Sequence, residues 1–174
     1  MELEPRTYAW IIDGRLAIAE RPGGGGRSHR VLRRQMELDW WADQGVRTIV
    51  SGMRSKHGLL DAALQGFQIR WQPLIDPAQA SRMLTHLIED VGDALPDGGV
   101  LVHVDRPGEW LAGVDAALRL HFGLAATVDD ALRQAGEDGF PVGPVTLAIL
   151  GIAPSERGEF DNGDETEVMQ PAAA

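Results

Sequence analysis

Two places in this 174-residue chain combine residue types able to act on a ligand. The first is the run Gly99-Val-Leu-Val-His103-Val104, followed by Asp105-Arg106-Pro107-Gly108-Glu109-Trp110. An apolar strand that turns directly into a helix leaves free amides at the helix start, a natural anion site, and Arg106 places a cation in the same turn. Asp105 and Glu109 bring two carboxylates into those few residues, and capping of this kind contributes about 0.5–2 kcal/mol. The expectation is that these carboxylates accept the turn's own amides and fill the anion's place, with anion binding through Arg106 as the competing reading. Asp76 has the chemistry of a proton donor, but an Asp before Pro77 also caps a helix, and capping is the preferred role.

The second place is Gly23–Gly26 with Arg27, Ser28, His29, Arg30, Arg33 and Arg34 behind it. Glycine-rich backbone ahead of a helix can cradle phosphates, yet the Gly-Lys-Ser/Thr ending of a nucleotide loop is missing. The arginines are expected to form a solvated helix face, able to receive an acidic partner or the chain's own acidic end.

Composition narrows the chemistry further. The chain contains no cysteine, which removes disulfides, thiolate metal sites and cysteine nucleophiles. Asp76, His103 and Asp105 offer mixed oxygen and nitrogen ligands, but without close ligand spacing no metal is expected. Net charge is −10, unevenly spread: residues 1–80 carry 11 basic and 9 acidic side chains, residues 81–174 carry 5 and 17. An acidic second half repels phosphate backbones and anionic lipid, so neither nucleic acid nor membrane is expected as a partner. With no apolar stretch near the ~20 residues of a bilayer span and an acidic start without signal-peptide character, a cytoplasmic protein is expected.

The elements that must position these residues follow from periodicity. Ala9–Ile12 and Leu16–Ala19 flank Asp13-Gly14, a tight hairpin signal. From His29 to Gln44, Leu32, Met36 and Trp40, with Val31, Leu38 and Trp41 beside them, mark a helix ending at Gly45. Val46–Val50 is a β-branched strand, Leu59–Leu64 a short helix, and Phe67–Leu74 an extended segment. A helix opens at Asp76-Pro77 with apolar positions Met83, Leu84, Leu87, Ile88, Val91 and Leu95, and Pro96-Asp97-Gly98-Gly99 stops it. Val100–Val104 is apolar throughout, as a strand buried on both faces is. Helices over Trp110–Phe122, near Val128–Gln134 and near Pro144–Leu150 complete the pattern. Alternating strands and helices predict one α/β domain over residues 7–153 with a mainly parallel sheet, its site at the strands' carboxyl ends. Residues 154–174 are expected to be a flexible acidic tail. Trp40, Trp41 and Trp71 are expected to serve the core, although Trp40 and Trp41 cannot share one direction and one of them is a candidate interface.

The run from Gly99 to Trp110 resembles the central strand and phosphate loop of the cysteine-dependent dual-specificity and tyrosine phosphatases. There, a strand of the type Val-Leu-Val-His enters Cys, five residues, then Arg. The resemblance extends over about residues 8–150, through Gly14-Arg-Leu-Ala-Ile-Ala-Glu-Arg-Pro22, Gly45-Val-Arg-Thr-Ile-Val-Ser51 and Pro73-Leu-Ile-Asp76, the last resembling the segment that carries the general acid. Carried across, the nucleophile falls on Val104, the phosphate-clamping arginine on Trp110 and the loop glycine on Pro107, leaving only His103 and Asp76 in place. Valine has no lone pair to attack phosphorus, and an indole donates one hydrogen bond where a guanidinium holds two oxygens in a charged fork. The resemblance thus implies a pseudophosphatase: a cofactor-free, inactive α/β domain that binds a protein partner or a small anion. The alternatives are a hydrolase reusing Asp76, Asp105 or Glu109, and an assembly protein using the Trp40/Trp41 face.

Overall fold

The structure, a computed structural model, describes residues 2–24, 30–105 and 108–153, with Arg30 described in its backbone alone. β1 (Tyr8–Ile12) and β2 (Leu16–Glu20) form the expected antiparallel hairpin. They are followed by α1 (Arg30–Asp43), β3 (Val46–Ser51), α2 (Leu59–Leu64), β4 (Gln68–Trp71), α3 (Pro77–Ala94) and β5 (Gly99–Val104). α4 (Glu109–His121), α5 (Val128–Glu137) and α6 (Pro144–Ile149) complete the order. The sheet runs β1-β2-β5-β3-β4, and every pairing except the first is parallel. This is the α/β architecture with a mainly parallel central sheet that the alternation predicts.

β5 lies at the centre, with Val102 opposite Ile18 of β2 and Val50 of β3. All six of its residues are buried, because sheet neighbours cover both edges and helices both faces. Successive side chains alternate between faces. Val100, Val102 and Val104 join the core built with α3, α4 and α6, while Leu101 joins Leu38 and Trp41 of α1 and Ala62 of α2 on the other side. The two sides of the strand therefore lead to different sites.

α1 departs from the expected stripe. Val31 and Leu32 are 57% and 63% exposed, whereas Leu38 and Trp41 are buried. The helix turns the row containing Arg34, Leu38 and Trp41 towards the sheet, because there Trp41 meets Tyr8 and Trp10 edge-on at 5.4 and 5.7 Å between ring centres. Trp40 also stacks edge-on against Tyr8, at 5.3 Å. The Trp40/Trp41 pair is thus a core aromatic cluster, with Trp41 fully enclosed and Trp40 half-buried, and not an open docking face.

α4 is buried from Leu111 to Arg119. Its small residues admit close neighbours: a Cβ on Gly113 would stand 2.9 Å from Ile149 of α6. Within this apolar helix Arg119 donates to Asp115 at 2.7 Å, to Gln134 at 2.8 Å and to Asp138 at 2.5 Å, tying α4 to α5. The composition carries no sign of this buried polar group, since Asp115 and Arg119 look like ordinary surface charges in sequence. Among the described residues no helix is long and apolar enough to cross a membrane.

Candidate functional site

The carboxyl ends of β3 and β5 meet at a narrow cleft. Gly52, following β3, donates its N–H to the His103 carbonyl at 2.8 Å, and Leu74 donates to the Gly52 carbonyl at 3.0 Å. These bonds draw three chain segments together so closely that a Cβ on Gly52 would stand 3.1 Å from Val104 and 3.2 Å from Leu74. The remaining cleft has about 250 Å³ of empty space, part of it open to solvent, between Gly52, Arg54, Leu74, Val104, Asp105 and Trp110. Val104 and Leu74 are buried and Trp110 is half-buried against the same core. An isopropyl group and an indole thus form part of the lining.

The carboxylates of the turn are directed elsewhere than the sequence suggests. Asp105 accepts the Arg54 N–H at 2.6 Å, from the loop after β3, and lies 4.0 Å from the Arg21 guanidinium. Arg54 in turn donates from its side chain to the Ile75 carbonyl at 2.6 Å. Glu109 accepts the Val145 N–H at 2.6 Å, while its own carbonyl accepts the Thr146 hydroxyl at 3.0 Å. Both side chains thus bridge distant segments. The expectation that they accept the turn's own amides is corrected for the described residues: the pairing of β3 with β5 and the packing of α6 on α4 bring the Arg54 and Val145 amides within their reach. Gly108 starts α4 with φ +89°, which favours glycine at this corner. Arg106, on which the anion reading rests, and Pro107 lie outside the described residues.

Asp76 caps α3. It sits in extended backbone and its carboxylate accepts the Ala78 N–H at 3.0 Å, with Pro77 as first helical residue. His103 points away from the turn, since Val104 takes the opposite side of the strand. Asp76, His103 and Asp105 therefore do not converge, and among the described residues no group of three or more His, Asp or Glu is placed to hold a metal.

The arginine face is also rearranged. Arg33 donates to the buried Glu37 at 2.6 Å, and Glu37 also accepts the Gly23 N–H at 2.7 Å, so this pair anchors the glycine-rich loop to α1. Arg34 pairs with Asp61 of α2. Both are half-buried and committed within the fold, which corrects the solvated face expected at Arg33 and Arg34. Arg27, the side chain of Arg30 and the stretch 154–174 lie outside the described residues.

The same rearrangement creates a second cavity, on the α1 and α2 side of the sheet, lined in part by Arg21, Arg34, His57 and His103. Sequence reasoning missed it because its lining is gathered from the segment after β2, α1, β3, the loop after β3, α2 and β5. His103 is 3% exposed, and neither ring nitrogen has a hydrogen-bond partner. Burial, with the nearby Arg21 charge adding to it, lowers its pKa to about 3, so the ring is neutral.

No family model and no curated protein sequence matches the chain. Solved structures do. Tk-PTP in its active form superposes with a TM-score of 0.65 at 18% identity, covering 84% of this chain and 95% of that one. A single-residue variant of human DUSP28 gives 0.62 at 19% identity, over 84% and 93%. PTPMT1 in complex with PI(5)P gives 0.61 at 12% identity, over 82% and 91%. The β1-to-α6 arrangement is accordingly the fold of the dual-specificity and tyrosine phosphatases.

Proposed function

We propose that this domain is a catalytically inactive phosphatase-fold module that binds or regulates. The observation carrying this reading is Val104, buried beneath Gly52 and Leu74 at the position where the resemblance puts the nucleophile. A phosphocysteine intermediate needs a thiolate with access to phosphorus, and the chain has no cysteine to supply one. Trp110 occupies the clamp position, where a guanidinium would hold two phosphoryl oxygens by charge-assisted bonds of about 1.5–3 kcal/mol each.

Against the hydrolytic alternative stand the engagements of its three carboxylates: Asp76 on Ala78, Asp105 on Arg54 and Glu109 on Val145. Each already accepts a backbone amide from a structural partner. The test is an assay of the purified full chain with an aryl phosphate from about pH 5 to about pH 8, spanning the usual range of acid–base catalysts. No turnover above the blank is expected. Turnover that survives purification and disappears in Asp76→Asn or Asp105→Asn overturns the reading.

A further inference from the structure

The cavity between the sheet and helices α1 and α2 is separate from the cleft at Val104 and Trp110. It holds about 430 Å³ of empty space, part of it open to solvent. Leu38, Ile49 and Met53, all buried, supply an apolar wall. His103 and Arg34 supply the polar part, and three of their nitrogens, both of the imidazole and Nε of Arg34, are buried without a partner. Leaving a buried donor or acceptor unpaired costs about 1–3 kcal/mol, and a ligand that pairs with it recovers that cost.

Charge selects the ligand class. Arg34 is balanced by Asp61, and the imidazole is neutral. Arg21 is the lining cation with a loose partner, Asp105 at 4.0 Å. Among the described lining residues there is no carboxylate. One loosely paired positive charge in a half-apolar pocket matches a monoanion, whereas a phosphate monoester would bring close to two negative charges.

We propose that this cavity binds a small monocarboxylate with a compact apolar body, its head towards Arg21 and His103 and its body against Leu38, Ile49 and Met53. The site does not depend on whether the Val104 cleft is catalytic. It places ligand recognition on the face of β5 opposite that cleft, and the Asp105–Arg21 contact links the two.

The test is an NMR titration of the isotope-labelled full chain with benzoate, alongside benzyl alcohol as neutral counterpart and inorganic phosphate as a head without a body. Saturable shifts are expected at the amides of Met53, Gly58 and Ala62, with benzyl alcohol and phosphate each at least about tenfold weaker, or about 1.4 kcal/mol. Arg21→Gln is expected to weaken benzoate by a similar factor, and Ala62→Leu, which fills the cavity, to abolish the shifts. Shifts that never saturate, benzyl alcohol binding as well as benzoate, or shifts centred on Gly52 and Trp110 overturn the proposal. The benzoate and benzyl alcohol comparison uses the unmodified chain, so it decides even where a variant fails to fold. Failure here leaves the aryl phosphate assay untouched.

Discussion

The Val145 backbone N–H donates to the Glu109 carboxylate at 2.6 Å, joining the first turn of α4 to the first turn of α6. The same contact is so close that a Cβ on Gly143 would meet that carboxyl at 2.6 Å. Glu109 is therefore a clasp between helices.

Glu109→Gln should weaken this clasp and lower stability by up to about 1.5 kcal/mol, the difference between a hydrogen bond to a charged and to a neutral acceptor. Urea denaturation checks the magnitude. Sulfate affinity, measured by calorimetry, should stay unchanged, because the removed charge is engaged at the start of α6 and not in the turn. A gain in sulfate binding would return the carboxylate to the turn.

Val104→Cys alone should give no aryl phosphate turnover. The new thiol would sit under Gly52 and Leu74 without a guanidinium at position 110, and the nearby Asp105 carboxylate disfavours a thiolate. The informative comparison is Val104→Cys with Val104→Cys/Trp110→Arg. Single-variant turnover equal to that of the double variant would mean that the clamp is dispensable.

Asp76→Ala should cost about 0.5–2 kcal/mol through loss of the cap on Ala78. Asp76→Asn, which keeps an acceptor oxygen, should recover most of it. Thermal unfolding of the two variants distinguishes a cap from an acid: equal destabilisation of both would require the charge itself.

His103 makes the fold acid-sensitive. Its ring has a pKa of about 3 in the folded chain against an ordinary 6.5. As pH falls below 6.5 the unfolded chain takes a proton that the folded one refuses. Stability should drop by up to about 1.4 kcal/mol per pH unit between those values. A His103→Gln variant should show a shallower decline over that window in denaturant titrations at stepped pH, and an unchanged slope would rule the histidine out.

Asp115 acts with the opposite sign. Burial raises its pKa from 3.8 to about 7, against the opposing pull of Arg119 and with Asp138 adding to the rise. Between these values the folded chain holds a proton that the unfolded chain has lost, so this group's contribution to stability declines as pH rises through the window. Asp115→Asn should remove that decline while Arg119 keeps Asp138 and Gln134. Carbon-13 NMR of the Asp115 carboxyl should show titration near neutrality; titration near pH 4 would contradict the burial argument.

Backbone-level features of this protein were legible in its residues, because they depend on short-range chemistry. Asp13-Gly14 dictates the hairpin turn, Asp76-Pro77 the start of α3, and the unbroken apolar run Val100–Val104 a strand with both faces covered. That Val104 offers no lone pair and Trp110 no guanidinium follows from residue identity alone. Tertiary structure decided where polar side chains spend their bonds. Asp105 and Glu109 lie four positions apart yet pair with Arg54 and Val145, 51 and 36 positions away, in segments whose nearness no local pattern encodes. The rotation of α1 that buries Trp41 and exposes Leu32 was likewise set by the aromatic partners Tyr8 and Trp10 on the sheet. The cavity at His103 exists only because strand alternation sends Val104 to one side and the imidazole to the other, where Arg21 of the loop after β2 and Arg34 of α1 are brought to meet it.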